Sequence, residues 1–291
     1  MGVGAEDRLD IMELYARHAW AMDSGDLDGF LDVFTPDGSA YGNVGREAIT
    51  DFLARFLPDS AFPGSQHFAY QWRFLEGDAT RRHVRSYVMR LGQLPGTSDA
   101  QIIWVLLYDD LAEKCADGRW RFARKAPYEH PSPQLPYDSS KQGVGNRAAW
   151  ELYDMGPRLV TAAPVAPGPL GGGPRPSTGP RLAGLGGHRP ADRLAIMELY
   201  ARRSWALDAG EPGTSRDRTF TTQYLIAGSG DRAAVRCYAA TFYAVPGATS
   251  VGVGWVGHYV DELERRGGAW EVVAHRALPA EGTRRWDYAR V

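Results

Sequence analysis

The sequence predicts an α+β fold, helices packed on one face of a curved antiparallel sheet, laid down in two tandem copies. Three observations carry this. Residues 7–26 (DRLDIMELYARHAWAMDSGD) and 192–211 (DRLAIMELYARRSWALDAGE) are identical at 14 of 20 positions, a match that marks a duplication. In each copy a segment of helical period comes first and β-rich segments follow, the order of an α+β unit. Between the copies, residues 156–190 hold nine Gly and eight Pro, the composition of a linker. The 291 residues thus divide into a complete domain at 1–135, a Pro/Gly-rich linker at 136–190 and a shortened second domain at 191–291.

The elements of the first copy follow in order. Ile11, Leu14, Tyr15, His18, Ala19 and Met22 form one apolar stripe at helical spacing. Asp7 is the expected N-cap and Ser24-Gly25 the expected end. DLDGFLDVF at 26–34 reads as a short helix, and TPDGSAYG turns into a brief strand. GREAITDFLARFL at 45–57 reads as another helix, with Ile49, Phe52, Leu53 and Phe56 on one side. Residues 67–76, 82–93, 101–113 and 119–128 alternate and are rich in β-branched and aromatic side chains, so they read as strands. Asp117-Gly118 and Gly267-Gly268 are hairpin turns. Asn146–Met155 reads as a helical turn or two.

The second copy is shorter. Asp23 to Asp78 spans 55 residues, whereas Asp208 to Asp231 spans 23. The missing piece corresponds to two helices and a strand. The sheet left behind has an apolar face with less cover, which must pack on the first copy or on another chain. An intramolecular pseudo-dimer or a homo-oligomer is therefore expected.

Composition excludes several classes. Thirty-three Lys and Arg against 35 Asp and Glu give no nucleic-acid footprint. No apolar run is long enough for a membrane span. MGVGAEDRLD lacks the basic and apolar regions of a signal peptide, so the expected location is the cytoplasm. Cys115 and Cys237 fit reduced thiols rather than a disulfide framework or a metal site. No P-loop, dinucleotide fingerprint, HExxH or paired CxxC occurs, and Gly-rich 168–173 lacks the flanking strand and helix of a phosphate loop.

The segments IMELYARHAWAMDSGDLDGFLDVFTPDG, SQHF and WVLLYDDLAEKCADGRWRFARK resemble the SnoaL-like branch of the nuclear transport factor 2-like superfamily, over about residues 7–130 and in shortened form over 192–276. The resemblance implies a cone: a strongly bent antiparallel sheet around a pocket, closed by N-terminal helices. It implies small-molecule lyase, isomerase or cyclase chemistry, as in dehydratases resembling scytalone dehydratase, a dehydrochlorinase and polyketide cyclases. Non-catalytic binding or assembly modules and dioxygenase β-subunits share the fold. The dehydratase and dehydrochlorinase members use an Asp at the end of the first helix and a His in the first long strand. Those positions correspond to Asp23 and His67 here. A lysine of the dehydrochlorinase corresponds to His18, and a second strand histidine of the dehydratase has no match near Leu91–Leu94.

The pair has a chemical logic. A neutral imidazole removes a proton when a carboxylate holds its tautomer and stabilises the imidazolium. Elimination, isomerisation or cyclisation at an acidic C–H by this route needs no cofactor and no metal. Asp23 and His67 are the expected catalytic residues. His18, Tyr15, Tyr41, Phe68, Tyr70, Trp72 and Trp104 are the expected lining of a pocket for an apolar or aromatic small molecule. The plainer alternatives are that Asp23 organises a turn, that the histidines are satisfied structurally, and that the aromatic residues are core. The second copy keeps Asp208, but counting back 11 residues from Asp231 gives Phe220 where His67 would lie, and Arg203 replaces His18. An acid without its base cannot run this dyad, so the second copy is expected to be non-catalytic, with His258 and His275 as structural or surface residues.

Overall fold

The computed structural model describes residues 4–60, 66–93, 100–126, 185, 187–208, 217–244 and 251–280. The helical turns expected at 146–155 and the Gly-rich 168–173 lie outside them.

The first copy runs α1 (Ala5–Ser24), α2 (Leu27–Asp32), β1 (Phe34–Ala40), β2 (Asn43–Val44), α3 (Gly45–Ser60), β3 (Gln66–Gly77), β4 (Arg81–Gln93), β5 (Ala100–Lys114) and β6 (Trp120–Lys125). The second runs α4 (Pro190–Asp208), β7 (Asp217–Ser229), β8 (Arg232–Ala244), β9 (Val251–Arg266) and β10 (Ala269–Pro279). Strands β3 to β6 form an antiparallel meander, as do β7 to β10. β1 adds in parallel beside β6, and Ala100 of β5 pairs with Val253 of β9 to join the two meanders into one ten-stranded sheet. Only eight residues, 209–216, separate α4 from β7. They are too few for the two helices and strand that follow α1 in the first copy.

The stripe read from the sequence of α1 is buried throughout. Beside it Ala16 and Trp20 are buried as well, because the second copy covers them. A helix packed on two sides has no use for a polar face there. Gly25 ends α1 in the left-handed region, φ 69°, where a residue without Cβ is unstrained. Asp7 is not the N-cap. Gly4 holds that position without a side-chain bond. Asp7 Oδ1 instead accepts from Lys114 Nζ at 2.9 Å and from Trp120 Nε1 at 3.0 Å. The indole of Trp120 is buried, and its N–H must find an acceptor. Asp26 caps α2 through the Gly29 N–H at 2.9 Å.

Left-handed residues mark equivalent bulges in the two copies, Gln71 (φ 53°) in β3 and Gln223 (φ 56°) in β7. Register around them fixes which residues correspond. His67 pairs with Arg90, and Arg90 with Trp104. Thr219 pairs with Thr241, and Thr241 with Trp255. The counterpart of His67 is thus Thr219, while Phe220 answers to Phe68. Asp231 corresponds to Thr80, not to Asp78, so the position 11 residues before it lies one place beyond the counterpart of His67. The Asp231 carbonyl accepts from Arg265 N–H as the Thr80 carbonyl does from Lys114 N–H. The histidine is absent under either alignment.

Side chains of β8 alternate between two cores. Cys237 packs with Ile196 and Tyr200 of α4. Tyr238 and Ala240 turn the other way and pack with Ala16, Trp20 and Phe68 of the first copy. The face that meets the first copy is therefore the one turned away from α4. Arg193 ties the helices together, donating to Asp10 Oδ1 at 2.6 Å, the Leu9 carbonyl at 2.9 Å and Glu13 Oε2 at 3.2 Å.

Candidate active site

Asp23 lies in the last turn of α1 and His67 is the second residue of β3. The structure brings them together. His67 Nδ1 is hydrogen-bonded to Asp23 Oδ1, and the His67 backbone N–H donates to Asp23 Oδ2 at 2.8 Å. A third donor reaches across from the second copy, the Tyr238 hydroxyl, 2.9 Å from the same Oδ2. The Asp23 side chain is 1% exposed and that of His67 is 9%. Their coupling is thus weakly screened by water.

Arg90 sits opposite His67 in the β3–β4 ladder, so the two side chains share a face of the sheet. Burial pulls its guanidinium down to about 10, while Asp23 and Tyr108 act to hold it charged. At neutral pH it remains a cation. Nearby, the Tyr41 hydroxyl lies 3.4 Å from His18 Nε2 and 3.3 Å from the Tyr108 hydroxyl. Burial pushes both phenols up, so they are protonated. His18 packs among the rings of Phe30, Phe34, Tyr41 and Phe122, edge-on or tilted to each. Burial, then the charge of Lys125, pushes its imidazole well below its ordinary 6.5.

The depressed His18 has a consequence for acid stability. The unfolded chain takes up a proton there as pH falls through 6.5, and the folded chain resists it. The stabilisation is present above pH 6.5 and is lost as pH falls towards the folded value. His258, pushed down to about 3 by burial and then Arg236, adds in the same sense. We expect His18→Gln to lose about 1–2 kcal/mol less stability than the wild type between pH 7 and pH 5. Urea unfolding at the two pH values checks this.

A second buried network underlies the first. Asp110 accepts from the Tyr15 hydroxyl at 2.6 Å, from Lys125 Nζ at 2.9 Å and from the Ala126 N–H at 3.0 Å. The second copy repeats it at the corresponding positions. Asp261 accepts from the Tyr200 hydroxyl at 2.6 Å, bonds His275 Nδ1 at 2.6 Å and accepts from the Arg276 N–H at 3.3 Å. His275 thus stands where the first copy has Lys125. Arg203, in place of His18, sends its Nη1 to 3.8 Å from Asp261.

The seven residues expected to line one pocket are not gathered around one point. His18 and Tyr41 are on the Tyr108 side of the site. The Tyr15 hydroxyl is engaged by Asp110. Phe68 packs against Tyr238 and Phe220 of the second copy. Tyr70 stacks on Tyr87 and meets Phe220 edge-on. Trp72 packs against Tyr15 and borders a narrow cleft with Met12, Arg193 and Gln223. Trp104 pairs with Arg90 on β5, and its side chain lies outside the described residues. Strand alternation accounts for this scatter: neighbours such as His67 and Phe68 face opposite ways.

Three residues that are not among those expected from the sequence bear on the pair: Arg90, Tyr238 and Gln223. Arg90 becomes visible only once β3 and β4 are put in register. Tyr238 and Gln223 depend on docking of the second copy, for which the sequence carries no local signal. Among the described residues no group of three or more His, Cys, Asp or Glu is placed to hold a metal, and no helix is long and apolar enough to cross a membrane.

Residues 4–126 match the SnoaL-like domain family. No curated protein matches the chain. Among solved structures, a protein of unknown function with a cystatin-like fold from Nostoc punctiforme is 25% identical, with 46% of this chain and 100% of that one covered and a TM-score of 0.39. An NTF2-like protein with a cystatin-like fold from Novosphingobium aromaticivorans is 24% identical, with 44% and 86% covered and a TM-score of 0.37. A Catenulispora acidiphila protein in complex with S-DNPA is 23% identical, with 43% and 93% covered and a TM-score of 0.37.

Proposed function

With a SnoaL-like domain at residues 4–126, we propose that the first copy is a cofactor-independent lyase, isomerase or cyclase acting on an apolar small molecule. The observation that carries this reading is the buried pairing of His67 Nδ1 with Asp23 Oδ1. A carboxylate on Nδ1 holds the proton there and presents the lone pair of Nε2 as the base. Nε2 then takes a proton from carbon beside a carbonyl, and the electron pair moves to the carbonyl oxygen as an enolate. The imidazolium formed is stabilised by Asp23. Arg90, a buried cation on the same face, stabilises the enolate charge.

The enolate has three outcomes. Return of the proton to another carbon is isomerisation. Expulsion of a β-hydroxyl, which leaves as water with the proton from His67, is dehydration. Attack of the enolate carbon on a second carbonyl, with the proton delivered to the new alkoxide, is cyclisation. The paired polar residues supply the proton steps, and the burial of the pair favours an apolar substrate.

The test is a panel of aromatic and polyketide-like carbonyl compounds incubated with the full chain and followed by mass spectrometry. Turnover by the wild type, reduced about 10²–10⁴-fold in His67→Ala, is the expected result. Turnover at wild-type rate in His67→Ala would sink the mechanism. Tight binding of a panel member without any conversion would favour the alternative reading, a non-catalytic small-molecule-binding module.

A further inference from the structure

We infer that the second copy is a working part of the first copy's site, with Tyr238 as a positioning residue for Asp23. This rests on the proposed Asp23–His67 dyad and adds the group that holds it. A carboxylate that orients an imidazole must itself be fixed, because rotation about its last torsion would carry Oδ1 away from Nδ1. Two donors pin the other oxygen, Oδ2. One is the His67 N–H of the same copy at 2.8 Å. The other is the Tyr238 hydroxyl at 2.9 Å. Tyr238 is fully buried, its ring 4.4 Å from that of Trp20, three residues before Asp23, and 5.4 Å from that of Phe68.

The histidine is gripped from the same side. Gln223, on the left-handed bulge of β7, donates its side-chain amide to the His67 carbonyl at 3.0 Å. Its own backbone carbonyl accepts from Trp20 Nε1 at 3.0 Å. A non-glycine residue at φ 56° holds a sparsely populated conformation that its surroundings must enforce. Two residues of the second copy thus bear on the two members of the dyad. In the first copy the register counterpart of Tyr238 is Tyr87, which stacks on Tyr70 and is 39% exposed. A copy that has Thr219 in place of the histidine and has lost two helices keeps side chains aimed at its neighbour's catalytic pair.

The experiment uses the full chain labelled with ¹⁵N-histidine, without substrate. His67→Gln identifies the His67 ring signals, and exchange of the Nδ1 proton with deuterium is timed by NMR. Asp23→Asn must abolish the protected Nδ1 proton; if it leaves the signal unmoved, the dyad itself is wrong. Tyr238→Phe keeps the ring and removes one donor to the carboxylate. Exchange is expected to become about tenfold faster or more, with part of His67 moving to the Nε2–H tautomer. Thr222→Val removes another bond from the second copy to the first, the 2.7 Å contact with the Ala69 carbonyl. It is expected to leave the Nδ1 proton unchanged. An unchanged proton in Tyr238→Phe would overturn the proposal, as would equal acceleration in Thr222→Val, which would reduce Tyr238 to a docking contact.

Discussion

Replacing Asp23 by Asn is expected to lower kcat by about 10³–10⁴-fold with KM nearly unchanged. Three donors converge on this carboxylate: the His67 ring, the His67 backbone and the Tyr238 hydroxyl. An amide has one acceptor atom, so its NH₂ must face at least one of them. If it faces Nδ1, the imidazole adopts the Nε2–H tautomer, and the lone pair that should take the substrate proton is lost. If it faces Oδ2's donors, the Tyr238 hydroxyl and the backbone N–H lose their acceptor. In either arrangement the imidazolium loses the neighbouring negative charge that stabilises it. Single-turnover and steady-state rates on a substrate from the panel check this. A fall of less than tenfold would mean that Asp23 only shapes the turn after α1.

The second large effect concerns folding. Lys125→Met is expected to cost about 3–5 kcal/mol, because it leaves the charge of Asp110 buried without its cation. Both side chains are 0% exposed, with Lys125 Nζ 2.9 Å from Asp110 Oδ2. Burial pushes Asp110 up and Lys125 down, and each is opposed by the other's charge. The ammonium also lies over the rings of Tyr108 at 3.7 Å, Tyr15 at 4.5 Å and Phe122 at 4.6 Å, a cation–π cage that methionine cannot replace electrostatically. The double variant Lys125→Met/Asp110→Leu removes the stranded charge and is expected to be more stable than Lys125→Met alone. Urea unfolding of the full chain at pH 7 measures both. A single-variant loss below about 1 kcal/mol would place the pair among weak contributors.

Much of the first copy was legible in the sequence because its signals are local. Helical spacing gave α1 and α3, alternation gave β3 to β6, and Asp117-Gly118 gave the hairpin. The Asp23–His67 pair was reached through resemblance, since nothing in D-S-G-D or S-Q-H-F alone joins residues 44 apart. What escaped had tertiary causes. A cap is the local use of a residue such as Asp7, whereas the buried Trp120 indole claims it. Gly-Asp recurs in both copies, but the hairpins that carry it differ in length, so Asp78 and Asp231 occupy different positions. Chemical type groups the aromatic residues, while strand alternation sends Phe68 and Tyr70 to the second copy. Tyr238 and Gln223 carry no local signal at all, because their contacts with Asp23 and His67 exist only where the two copies meet.

The shortened second copy can be understood in these terms. Its Asp261 network repeats that of Asp110 closely, so the fold of its sheet is held by the same means. Its own site lacks the histidine. Its sheet face away from α4 is spent on α1 and β3 of the first copy, where it buries Trp20 and Phe68 and delivers a hydroxyl to Asp23.

The most direct test of the Asp23–His67 assignment is a crystal structure of the full chain with a carbonyl compound from the panel bound. The acidic carbon of that compound is expected within about 3–3.5 Å of His67 Nε2, with Nδ1 still on Asp23 and the carbonyl oxygen towards Arg90. A ligand bound away from His67, or a His67 ring turned off Asp23 in the complex, would contradict it.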